Sequence, residues 1–128
     1  MLINLDQILE IHIEVIEFDK DENPEDYTPA IRSLASLELM FEYLIRKSNT
    51  IFRNAAIVLY TIVAKRPFFN GNKRTGYESM KYILMEEGYE IIATNEEMKN
   101  FVKAVATTEN EMLLSEIEEW IFKHTKRL

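Results

Sequence analysis

Cysteine is absent from the chain, which excludes disulfides and thiolate metal sites. That absence suits a reducing, cytoplasmic setting. Long apolar runs are missing too. No stretch reaches the roughly 18 residues that a membrane-spanning helix requires, so no membrane partner is expected. The opening Met1-Leu2-Ile3-Asn4-Leu5-Asp6 has no basic region followed by an apolar one, so no secretory signal is expected. Basic residues are in the minority: 15 Lys and Arg face 22 Asp and Glu, a net charge of −7. A chain this acidic is a poor general binder of nucleic acid, because phosphate contacts need clustered cations. Glycine and proline are scarce, at three each, and there is no internal repeat, low-complexity tract or linker.

What is present is a core and a helical rhythm. Hydrophobic residues make up 47% of 128 positions, enough for one compact domain spanning the whole chain, residues 1–128. Leu5, Ile8, Leu9, Ile13 and Ile16 recur at helical intervals and predict a first helix over about 4–17, with His12 on the same face. Asp19 to Tyr27 is polar, contains Pro24 and reads as a loop. Thr28-Pro29 is a helix start, a capping hydroxyl followed by proline. It opens a second helix with Ile31, Leu34, Leu37, Met40, Phe41, Leu44 and Ile45 along its stripe. Residues 50–65 are apolar nearly all round and predict the buried central helix. Another helix follows from Asn72 to about Glu87, stopped by Gly88. Ile91-Ile92 suggests a short strand-like connection. Thr94 with Glu97, and Ser115 with Glu118, fit capping boxes for two last helices near 95–106 and 115–126. Ile117, Trp120 and Ile121 are expected to face the core. The sum is an all-α fold of about six helices. Met40, Met80 and Met85 read as core, and Tyr77, Tyr82 and Tyr89 as partly buried packing residues.

Charge is unevenly spread. Residues 65–81 hold Lys65, Arg66, Lys73, Arg74 and Lys81 against a single Glu78, a local +4 in an acidic chain. The run sits on a turn, Arg66-Pro67-Phe68-Phe69-Asn70-Gly71-Asn72-Lys73-Arg74-Thr75-Gly76, between the central helix and the next. Free N–H groups at a helix start attract anions. Gly71 permits a positive φ and close ligand approach. Asn72 can cap the helix or contact a phosphate oxygen. Lys73 and Arg74 add full charges, and arginine binds phosphate in bidentate fashion. Phe68 is the expected buried anchor of the loop. The remaining candidates read as structural: His12 as a core histidine, His124 as a partner of a helix C-terminus, Glu78 as a surface residue. No Ser-His-Asp or metal-ligand cluster is visible.

The stretch from Arg66 to Thr75 resembles the signature of the Fic/Doc (Fido) family, in which a His-Pro-Phe-x-x-Gly-Asn-x-Arg type loop follows a buried helix. The run Asn72-Lys73-Arg74-Thr75 looks more like the death-on-curing (Doc) branch than the adenylylating Fic branch. The resemblance implies an all-helical fold and transfer of a phosphoryl or nucleotidyl group from ATP or another nucleotide to a hydroxyl of a protein target. It also implies silencing by a small antitoxin protein, as in toxin–antitoxin modules. By the same resemblance Gly71 and Asn72 form the phosphate-cradling turn, Lys73 and Arg74 bind the phosphates, and Phe68 anchors the loop. Two positions depart from the pattern. Arg66 stands where the family has its catalytic histidine, and Asn70 where it commonly has an acidic residue that binds Mg2+. Arginine stays protonated and has no acceptor, so it cannot serve as a base. Asn70 offers magnesium a neutral carbonyl in place of a carboxylate. The alternative implied by these departures is a catalytically inactive relative that binds nucleotide or a protein partner, with Arg66 as an anion clamp.

Overall fold

The computed structural model describes residues 3–22, 30–107 and 112–128. Helix α1 (Leu5–Glu22) is followed by a short α2 (Leu34–Leu39) that runs into a π-helical turn, Met40–Leu44. Then come α3 (Ile51–Lys65), α4 (Asn72–Glu86), strand β1 (Tyr89–Ile91), α5 (Asn95–Ala106), α6 (Leu114–Lys123) and strand β2 (Thr125–Arg127). The fold is mainly helical, with β1 and β2 paired antiparallel so that Glu90 faces Lys126. Among the described residues no helix is long and apolar enough to cross a membrane.

Local chemistry starts most of these helices. Asn4 and Gln7 exchange backbone-to-side-chain hydrogen bonds of 2.8 and 2.9 Å at the head of α1. Thr50 accepts from the Arg53 amide at 3.1 Å to open α3, and Thr94 and Glu97 form the expected capping box on α5. The apolar α3 is the hub, packed by α2, α4, α5 and α6. Its two buried polar residues below Thr50 are Asn54 and Thr61. Asn54 is satisfied by Arg46 and Asn49, through bonds of 2.9 Å to the Arg46 carbonyl and from the Asn49 amide. Helices α3 and α4 meet closely at Gly76, where a Cβ would lie 2.6 Å from Cγ2 of Val63.

Several expectations are corrected. Helix α1 extends to Glu22, and its buried face is Ile8, His12, Val15 and Ile16, leaving Ile13 at 43% exposure. Those four buried positions keep a 3.6-residue period that Ile13 does not share. The polar loop read over 19–27 is helical as far as Glu22; the rest of it, and Thr28-Pro29, lie outside the described residues. The second helix starts only at Leu34 and changes to π geometry at Met40. Its expected first turn is committed elsewhere: the amides of Arg32 and Ser33 donate to the Pro67 carbonyl, and Ala30 accepts from Phe69. Met85 is exposed, whereas Met40 and Met80 are buried. Ser115 is not a cap. Leu113 precedes α6, and its amide donates to the Glu116 carboxylate at 2.9 Å. The last helix stops at Lys123 because residues 125–127 pair with β1. His124 caps that end, its Nδ1 2.7 Å from the Trp120 carbonyl and its ring stacked on Trp120.

Candidate functional site

The turn from α3 to α4 is held from three sides. Arg66 ends α3 in the left-handed region, with φ 52°, a conformation that costs an ordinary side chain about 1 kcal/mol or more. Arg32 stabilises it. Its Nε donates to the Arg66 carbonyl and one terminal nitrogen to the Lys65 carbonyl, both at 2.8 Å. Those are among the carbonyls that a helix end leaves unpaired. The next residues zip against residues 30–33, with Ile31 and Phe68 forming a β-bridge. Asn72 then closes the loop on itself. Its side-chain oxygen accepts from the Phe68 amide at 3.0 Å, and its amide nitrogen donates to the Phe68 carbonyl at 2.9 Å.

Helix α1 forms the floor. Phe68 is 1% exposed, and its ring stacks on His12 with centroids 3.7 Å apart. Nδ1 of His12 shares a 3.1 Å hydrogen bond with Oγ1 of the buried Thr75. Gly71 caps α4 with φ 72°. A Cβ there would meet Ile16 Cδ1 at 3.1 Å and Val15 Cγ1 at 3.3 Å, so a larger residue would be strained by its positive φ and would press on α1. The first bond of α4 runs from the Thr75 amide to the Gly71 carbonyl at 2.8 Å. The amides before it have no acceptor within the helix.

Over this turn lies a cleft of about 500 Å³ lined by Val63, Arg66, Phe69, Asn70, Gly71, Asn72, Lys73, Arg74, Lys103, Ala106 and Thr107. Among the described lining residues four are cations and none is Asp, Glu or His. Arg66, Asn70, Gly71, Asn72, Lys73 and Arg74 are thus brought together. Phe68 sits beneath them. The side chain of Asn72 holds the Phe68 backbone and does not cap α4, so what it can offer an anion is its backbone N–H. Arg74 also packs its guanidinium 4.5 Å above the Phe18 ring and lines a second groove along α1. Glu78 lies in that second groove, away from the turn.

Two residues of the site were not legible in the sequence. Arg32 stands in a segment with no local signal of its role. Lys103 lies on α5, whose apolar spacing marks its buried face but not what the opposite face meets.

The cleft does not fit a protein-held magnesium ion. Hard cations take carboxylate oxygens, and the described lining residues offer only the neutral side-chain oxygens of Asn70, Asn72 and Thr107. Among the described residues no cluster of three His, Cys, Asp or Glu exists anywhere. His12 is not placed to act on a ligand in the cleft. It is buried, it is not part of the cleft lining, and its Nε2 has no hydrogen-bond partner among the described residues. Burial lowers its pKa from the ordinary 6.5 to about 4, so it stays neutral in the folded chain. The unfolded chain takes up a proton that folded His12 refuses. Its contribution to stability is therefore complete above pH 6.5, falls as the pH drops toward 4, and is flat below. Urea midpoints across that range for the native chain and a His12→Gln variant measure this, and parallel profiles in the two would remove His12 from the account.

Comparison with known proteins bears on the same region. No curated protein matches the chain. The family model described as "Fic/DOC family" matches residues 2–84, which is more than half of the chain. The matched span contains α1, α2, α3, most of α4 and the whole turn that separates α3 from α4, and on that ground the chain belongs to the Fic/DOC family.

Proposed function

We propose that this protein is a Doc-branch member that holds the phosphates of ATP or another nucleotide in the Arg66–Gly76 cleft. The observation that carries the reading is the convergence of Arg66, Lys73, Arg74 and the start of α4 on one cleft. Anions are stabilised by helix-start amides and by charge-assisted bonds from Lys and Arg. The Doc reading brings a protein hydroxyl as acceptor of a phosphoryl or nucleotidyl group, and a small antitoxin as partner. It also requires a base for that hydroxyl, and Arg66 occupies the place of one. The native chain is therefore proposed to bind nucleotide while transferring slowly or not at all.

Calorimetric titration with ATP, ADP and AMP tests the binding. The native protein is expected to bind, and Lys73→Ala to weaken binding about tenfold or more, the loss of one charge-assisted contact. Unchanged titrations of native and Lys73→Ala protein, or no heat with any of the three nucleotides, would reject the phosphate site.

A further inference from the structure

The family match ends at residue 84, yet the cleft does not. Its far wall is α5, which contributes Lys103, Ala106 and Thr107. These lie at i, i+3 and i+4, one stripe of a helix. The other side of α5 is anchored by Met98, Phe101, Val102 and Val105, all buried. Phe101 stacks on Trp120 at 3.8 Å, and Trp120 on His124 at the same distance, so α5 is braced by α6. At the cleft end, the Thr107 hydroxyl donates to the Lys103 carbonyl at 2.9 Å. The wall is rigidly placed and presents one full charge.

We propose that Lys103 is a phosphate-binding residue of this cleft, reaching the ligand from the side opposite α4. The inference rests on the nucleotide reading above. A plainer explanation exists for a lysine in the last turn of α5: a cation is favoured at a helix C-terminus. That explanation is satisfied by any position of the turn and does not place the side chain in a cleft with Arg66 and Lys73. Among the described residues none of these three has a carboxylate partner. Cations gathered in one concave site repel each other and raise the local potential. The chain is acidic, with a net charge of −7, yet among the described residues no carboxylate lines the cleft. A bound polyphosphate supplies the missing counter-charge from both walls at once. Motif transfer alone could not find this residue, because it lies outside the matched span.

The experiment titrates ATP into the intact native protein, Lys103→Ala, Lys103→Arg and Lys99→Ala. Lys99 is exposed one turn earlier on α5 and does not line the cleft, so it controls for the general field of the helix. Lys103→Ala is expected to weaken ATP about tenfold, with Lys103→Arg and Lys99→Ala close to native. Thermal midpoints of all four proteins should agree, since both lysines are exposed. Native-like affinity in Lys103→Ala, or equal losses in Lys103→Ala and Lys99→Ala, overturns the assignment while leaving the nucleotide reading intact. Should the native protein ignore ATP, that reading falls first. Tripolyphosphate in the same series then decides Lys103 alone: binding that is lost in Lys103→Ala keeps it, and absent binding ends it.

Discussion

Phe68→Ala is expected to remove about 3–5 kcal/mol of stability, the usual cost of emptying a buried aromatic site. Domains of this size are stable by only about 5–15 kcal/mol, so the variant should sit near its unfolding threshold at room temperature. The ring is 1% exposed and stacked on His12. The backbone of the same residue carries two further attachments: the β-bridge to Ile31 and the pair of hydrogen bonds exchanged with the Asn72 side chain. Loss of the ring therefore loosens the turn as well as the core. Nucleotide binding should fall with stability, and more steeply than in a core variant remote from the turn. Urea denaturation followed by circular dichroism gives the first number. A cost below about 1 kcal/mol would mean the site repacks, and would deny Phe68 its anchoring role.

The second large effect runs in the opposite direction. Changing Arg66→His together with Asn70→Asp is expected to raise transfer of label from ATP to proteins of a cell lysate by about 10²–10⁴, the usual worth of a general base. The backbone is ready for the exchange. Position 66 has φ 52°, and histidine is several-fold enriched among non-glycine residues in that region. The Arg32 side chain bonds the backbone carbonyls of Lys65 and Arg66, so this support does not depend on the side chain at 66. The aspartate restores a carboxylate where the lining now offers an amide. If the native chain already transfers label as fast as the double variant, Arg66 is not what limits it. If the double variant binds ATP and still transfers nothing, the cleft lacks more than a base.

How much of this was legible follows from which interactions are local. The apolar run at 50–65 and the Thr94–Glu97 box depend on neighbours in sequence, and both appear where the pattern put them. The Gly71 turn was legible for the same reason: a glycine, a cation pair and a helix start occur within a few residues. What failed was long-range. The start of the second helix was lost because residues 30–33 give their amides to Pro67 or accept from Phe69, partners more than thirty residues away in the chain. The last turn of the final helix was lost to β1 in the same way. Ser115 looked like a cap, but Leu113 already marks the start of α6. Lys103 and Arg32 reach the site only through tertiary packing, and no spacing rule connects them to residue 66.

The bond between His12 and Thr75 joins residues 63 positions apart, and the same contact that seats Gly71 comes from α1. Closing so long a loop is slow and entropically costly. The geometry of the turn therefore depends on more than its own residues. That geometry includes contacts with the amino-terminal helix, and the wall carrying Lys103 comes from residues still later in the chain. The cleft is built from segments distant in sequence, so a short fragment carries the motif without the cleft's walls.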